Sequence, residues 1–175
     1  MTIRPATLDD VEGIAKVHVD AWRSTYRGIM PDAFLDSLSY ERRAEQRRTA
    51  MLERAGKEWS HVAEDDDGRI IGFALGGRER DGTPGFDGEL YAIYLLDEYR
   101  GRGIGRELTL TIARDLAANG MLSLLVWVLA DNPSKRFYER LGAVEVTRKM
   151  MVIGGVELEE IGYGWKELGG MNYER

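Results

Sequence analysis

The stretch YRGRGIG, Tyr99 to Gly105, decides how this chain is read. Its three glycines, Gly101, Gly103 and Gly105, occupy alternate positions with apolar sequence on both sides. Ahead of them, Glu89 to Leu95 is rich in aromatic and β-branched residues and reads as a strand. Behind them, Ile104, Leu108, Ile112 and Leu116 recur every fourth position, the spacing of a helix face, and Asn119-Gly120 supplies a stop. The glycines therefore stand at a strand-to-helix junction, where main chain can come close to a ligand.

Two common phosphate cradles fail on spacing. A dinucleotide-binding loop needs Gly-x-Gly-x-x-Gly, but the third position holds Arg106 when counted from Gly101 and Leu108 when counted from Gly103. No glycine is followed by Lys and then Ser or Thr, so the nucleoside-triphosphate loop fails as well. What remains is Arg100-x-x-Gly103-x-Gly105. Small residues at a helix start leave amide N–H groups without intrahelical partners at the positive end of the helix dipole, which suits an anion. Arg100 and Arg102 add charge, and the bare positions 103 and 105 let a diphosphate lie against the main chain. The same glycines equally suit a tight turn with close helix packing, and the loop alone does not separate the two readings.

Working outward, a short strand is expected around Ile3, then a helix that starts at the capping-box pattern TLDD from Thr7 and carries Val11, Ile14, Ala15, Ala21 and Trp22. Pro31 to Leu38 and Tyr40 to Arg54 also look helical. Glu58 to Glu64 and Arg69 to Leu75 flank DDDG, a tight-turn signal, and predict a hairpin. Ser123 to Leu129 reads as a buried strand, Asn132 to Leu141 as a short helix, and Val144 to Ile153 with Val156 to Trp165 as a final hairpin about Gly154-Gly155. The loop GGRERDGTPGFDG, Gly76 to Gly88, is expected to be the least ordered part and to border a site. The order β-α-α-β-β-β-α-β-α-β-β puts one strand-helix-strand crossover inside a hairpin-rich sheet. This is a mixed α/β architecture, a mostly antiparallel sheet flanked by helices, in one domain over 1–175.

Composition narrows the function classes. With 24 Lys and Arg against 30 Asp and Glu, the net charge of -6 disfavours nucleic acid and anionic membranes. The chain has no cysteine, which removes disulfides, thiolate nucleophiles and Cys-based zinc sites; no metal is expected. Met1 to Asp10 has acids where a signal peptide is apolar, and the longest apolar stretch, Met121 to Ala130, is too short to span a bilayer. A cytoplasmic protein without membrane contact is the expectation.

NPSKRFYERLG, Asn132 to Gly142, follows the buried strand with an Asn-Pro turn and puts Phe137 and Tyr138 side by side on a short helix. Together with the glycine loop, this segment resembles the GNAT acyltransferase superfamily, by motif from about Glu89 to Ala143 and by element order over nearly the whole chain. The resemblance implies an N-acetyltransferase using acetyl-CoA as co-substrate. On that pattern, main-chain groups of Arg100, Gly101, Arg102, Gly103, Ile104 and Gly105 hold the diphosphate. Ile93 and Leu95 pair with the pantetheine arm as an added strand would, and Asn132, Ser134 and Phe137 complete the cofactor contacts. Glu89 matches the family's basic glutamate, and Tyr138 its acid that protonates the departing thiolate. Asp97 and Ala143 depart from the family's usual Pro and aromatic, which touches local packing only.

The implied reaction moves an acetyl group to a primary amine of a small molecule or peptide by direct transfer in a ternary complex. An acyl-CoA sensor of the same fold without turnover is the rival reading. His18 and His61 are alternative bases, Trp22 and Tyr26 are core residues or acceptor contacts, and a homodimer through the final hairpin suits the class.

Overall fold

A computed structural model of the chain describes residues 1–171. Seven strands form one sheet, β1 (Thr2–Pro5), β2 (Glu58–Glu64), β3 (Ile70–Arg78), β4 (Gly88–Leu95), β5 (Leu124–Leu129), β6 (Val144–Ile153) and β7 (Val156–Trp165). Their order across the sheet is β1-β2-β3-β4-β5-β7-β6. The helices are α1 (Val11–Thr25), α2 (Asp32–Asp36), α3 (Tyr40–Glu53), α4 (Ile104–Ala118) and α5 (Lys135–Arg140). The expected order is met, with the segment after α1 yielding two helices, the five-residue α2 and the longer α3. The TLDD pattern also works: the Thr7 amide donates to Asp10 Oδ2 at 2.8 Å, and α1 follows a 3-10 turn.

Every pairing in the sheet is antiparallel except one, and three of the antiparallel pairs are hairpins of consecutive strands. β4 and β5, joined by the crossover through α4, run parallel, and only Gly88, Glu89 and Leu90 pair with Leu124, Leu125 and Val126. Past Leu90 the two strands part. On its other side β4 stays paired with β3 through Leu95, with Tyr91 as the extra residue of a bulge, since Gly76 pairs with Leu90 and Leu75 with Ala92. A bulge bends its strand and sharpens the local twist. β5 meanwhile follows β7 over six residue pairs. The sheet consequently opens between β4 and β5.

Alternation along the strands assigns the two faces. α4 covers one of them so closely that a Cβ on Gly76 would lie 2.5 Å from Ile112 Cγ2. Leu90, Leu108, Ile112, Leu116 and Leu124 are all buried there, each worth about 2 kcal/mol in transfer free energy. α1 covers the opposite face, where His18 lies 5.8 Å from Phe73 and 5.0 Å from Tyr94, ring centre to ring centre. A second cluster of Tyr26, Met30, Leu35 and Leu129 seats α2 over the far strands.

The segment Gly76 to Gly88 departs from the expectation. Its first three residues extend β3, and the remainder is tied down by two carboxylates. Glu79 accepts from the amides of Asp81, Gly82 and Thr83, and Asp87 accepts from the amides of Leu122 and Ser123. Among the described residues, no helix is long and apolar enough to cross a membrane.

Candidate functional site

The opening between β4 and β5 is a cleft of about 620 Å³. Ten of the sequence-predicted site residues line it: Ile93, Leu95, Arg100, Gly101, Gly103, Gly105, Asn132, Ser134, Phe137 and Tyr138. One wall is the free edge of β4. The Leu96 amide donates to Ile71 of β3 at 3.0 Å, and main-chain groups alternate sides along a strand, so those of Ile93 and Leu95 face the cleft.

The glycine loop closes one end. Gly101 and Gly103 have φ of 74° and 82°, left-handed conformations that glycine adopts without strain. Gly103 caps α4 without a side-chain hydrogen bond, and its carbonyl accepts from Glu107 at 3.1 Å. Among the described residues, no protein group accepts from the amides of Gly101, Arg102, Gly103, Ile104 or Gly105. This run of donors sits at a helix N-terminus, where the dipole also favours negative charge. Arg100 reaches Thr25 Oγ1 at 2.7 Å and Asp97 Oδ1 at 2.9 Å, leaving its guanidinium about half exposed at the rim. Arg102 lies outside the lining with its guanidinium 5.2 Å from the Tyr99 ring centre, and the Ile104 side chain is in the core, so the amide is what each offers.

The wall beside the glycine loop is aromatic, with the Phe137 ring 3.6 Å from where a Cβ on Gly105 would lie. Tyr138 is 6% exposed and packs edge-on against Phe137 and Trp165, while its hydroxyl has no hydrogen-bond partner among the described residues. Burial, and then the neighbouring Tyr26, push the Tyr138 phenol above its ordinary value, so it holds its proton at neutral pH. Asn132 serves the turn: its Oδ1 accepts from the Ser134 amide at 2.9 Å, and its side chain meets the Tyr26 hydroxyl, which also meets Tyr94. The Ser134 hydroxyl starts α5 without a capping bond.

Glu89 stands outside the cleft lining at the start of β4 and is 1% exposed. Arg80 occupies both of its oxygens. The Arg80 amide and Nε donate to Oε2 at 3.2 and 3.1 Å, and Nη2 donates to Oε1. His18 borders Tyr94 instead of the cleft, and burial, helped by Arg43 and Arg47, pushes its pKa down to about 3, so it is neutral in ordinary buffers. His61 faces Asp115 of α4, in a separate cavity of about 370 Å³ beside β2.

Sequence reading missed Trp127, Tyr91 and Arg106 in the lining and left Tyr26 between core and site. Trp127 is hidden inside an apolar run that reads as core. Its side of β5 shows only once β7 is paired, when Gly162 opposite puts no side chain on the ring. Tyr26 does both things at once, packing on Leu129 and lining the cleft.

The comparisons with known proteins agree with this geometry. A family model described as Acetyltransferase (GNAT) family matches residues 19–143. The uncharacterized N-acetyltransferase YuaI of Bacillus subtilis (strain 168) is 42% identical over 168 residues, 96% of this chain and 94% of that protein. Among solved structures, the PaiA N-acetyltransferase from Thermoplasma acidophilum in complex with coenzyme A matches with a TM-score of 0.72 at 22% identity, covering 91% of this chain and 98% of that one. The structure of yncA from Salmonella typhimurium with its cofactor acetyl-CoA matches with a TM-score of 0.68 at 20% identity, over 95% of this chain and 93% of that one. At such identities these two structures establish a shared fold.

Proposed function

The chain belongs to the GNAT acetyltransferase family and is an acetyltransferase, and from that premise we propose that it moves an acetyl group from acetyl-CoA directly to a primary amine of a small molecule or peptide, both bound at once. One observation carries this reading: five successive amides, Gly101 to Gly105, have no acceptor among the described residues and open onto the free edge of β4, which leads to Tyr138. The amides and Arg100 take the diphosphate. The outward main-chain groups of Ile93 and Leu95 take the amide-bearing arm as a neighbouring strand would. The arm then sets the thioester against β4, where a main-chain N–H steadies the carbonyl oxygen as charge develops, a contribution of about 3 kcal/mol to the barrier.

Tyr138 enters from the face that carries α4, whereas Trp127 borders the cleft from the face that carries α1. The two faces give the thiol and the amine separate approaches, which favours transfer without an acyl-enzyme. Tyr138 donates to the departing sulfur, and its raised pKa keeps the proton available until a thiolate forms. Glu89 anchors Arg80, holding the loop after β3 against the start of β4. For the assembly, the same reading places a homodimer contact at the final hairpin, where Met150, Val152 and Val156 are exposed.

The test is release of free CoA from acetyl-CoA against a panel of amines, with the product's mass locating the acylated nitrogen. Tyr138→Phe should lower kcat about 100-fold with little change in acetyl-CoA affinity. Unchanged turnover in that variant would remove the acid from Tyr138, and no CoA release with any amine would remove the reaction.

A further inference from the structure

Two carboxylates stand on the α1-bearing face beside the cleft, and they differ in how they are held. Glu89 has both oxygens on Arg80. Glu160, on β7, accepts no hydrogen bond among the described residues, and its nearest cation is Lys149 Nζ at 3.9 Å. Only 15% of the Glu160 side chain is exposed. A carboxylate so largely covered and without a hydrogen bond keeps its accepting capacity for another partner.

Glu160 stands outside the cleft lining, next to residues that form it. Glu160 pairs with Leu129 of β5 and Lys149 of β6, and two residues on, Gly162 pairs with Trp127, a cleft-lining residue. Residues two apart share a face, so Glu160 lies beside the Trp127 ring, and Lys149 sits 3.9 Å from the centre of that same ring. The charges that face Glu160 come from three other elements: Lys149 of β6, Asp81 and Arg80 of the loop after β3, and Glu89 of β4. From the C-cap of α1, the Tyr26 hydroxyl feels the Glu160 charge. Lys149 is shared, since it also pairs with Asp81.

We propose that Glu160 is the group that receives the acceptor: it binds the incoming ammonium on the Trp127 side of the cleft and takes the proton that frees the nitrogen for attack. The inference rests on the transferase reading above. The ammonium gives one proton to the Glu160 carboxylate, and the freed lone pair forms the C–N bond at the thioester carbonyl. The C–S bond then breaks with its electron pair going to sulfur, which takes the Tyr138 proton. The second proton leaving nitrogen restores Tyr138 through solvent, and Glu160 releases its own, so one proton appears in solution for each ammonium acetylated.

Burial lifts the Glu160 carboxyl above its ordinary value, and Lys149 works against that. The carboxylate must be ionised to act, so kcat/KM for the amine falls as pH drops through this raised value. Glu160→Gln keeps the shape and removes the base; it should lower kcat/KM for the amine about 100-fold and abolish the acid limb of the profile, with acetyl-CoA affinity and Tm unchanged. Lys149→Met removes the opposing cation and should move the acid limb of an active enzyme to higher pH, a readout that a purely structural role does not move. An acid limb that persists in Glu160→Gln, or that disappears in Glu89→Gln instead, overturns the inference while leaving the transferase intact. Failure of the unaltered protein to release CoA with any amine overturns both.

Discussion

Two glycine-containing loops flank β4, and they treat their main-chain amides in opposite ways. In the loop before it, the Glu79 carboxylate accepts from the amides of Asp81, Gly82 and Thr83 at 3.1, 2.6 and 3.0 Å and from the Thr83 hydroxyl at 2.7 Å. In the loop after it, the amides of Gly101 to Gly105 have no acceptor among the described residues. Both are concave runs of donors with left-handed glycines, at Gly82 in one case and at Gly101 and Gly103 in the other. The first is filled by the chain's own anion and is structure; the second keeps its donors for an anion from outside. An anion site is thus marked less by its glycines than by the lack of an internal carboxylate within reach.

The sharpest way to break the contrast is to give the second loop what the first has. Gly103→Asp should weaken CoA binding about 100-fold by calorimetry, through an internal anion that competes for the amides and repels the diphosphate. Gly103→Asn, which costs about 1 kcal/mol in left-handed strain but adds no charge, should lose much less. Equal losses in the two variants would mean that shape, and not charge, governs the loop.

The reverse experiment empties the first loop. Glu79→Ala should lower stability by about 1 to 2 kcal/mol in urea unfolding and leave CoA binding intact, because the freed amides near the surface recover water. A change in CoA affinity there would show that the two loops are coupled through β4. Arg100→Ala should weaken CoA binding about fivefold at low ionic strength, and the gap should close in high salt, since the guanidinium is exposed and its field is screened. A gap that salt does not touch would make Arg100 a structural prop for Thr25 and Asp97.

The smallest effect is a pH dependence. Burial pushes the Glu79 carboxyl up, but the Thr83 hydroxyl and the amides of residues 81–83 outweigh it and hold the folded value below the usual one. The stability it brings is therefore fully present above the unfolded glutamate pKa of about 4.3 and is lost as pH falls through the lower folded value. The difference in unfolding free energy between the parent and Glu79→Ala should narrow below about pH 4. A constant difference would assign the effect to packing.

Several elements were legible residue by residue. The strands Glu58–Glu64, Val144–Ile153 and Val156–Trp165 begin and end where alternation and turn residues put them. The strand expected over Arg69 to Leu75 runs on to Arg78, because glycines at 76 and 77 suggest a loop from local propensity, whereas pairing with Leu90 and Glu89 keeps them extended. The helix expected over Asn132 to Leu141 shortens to Lys135–Arg140, since Asn132 uses its side chain for the Ser134 amide and holds a turn instead.

The sequence by itself determined the glycine loop, its place between a strand and a helix, and the Phe137-Tyr138 pair, because each depends on neighbours within a few residues. Only the tertiary structure decided that β4 and β5 part after three residue pairs, that Arg80 holds both oxygens of Glu89, and that Glu160 lies beside Trp127. These are contacts between strands distant in the chain, where the burial and charge around a side chain come from whichever strand is laid next to it, and local pattern carries no record of that choice.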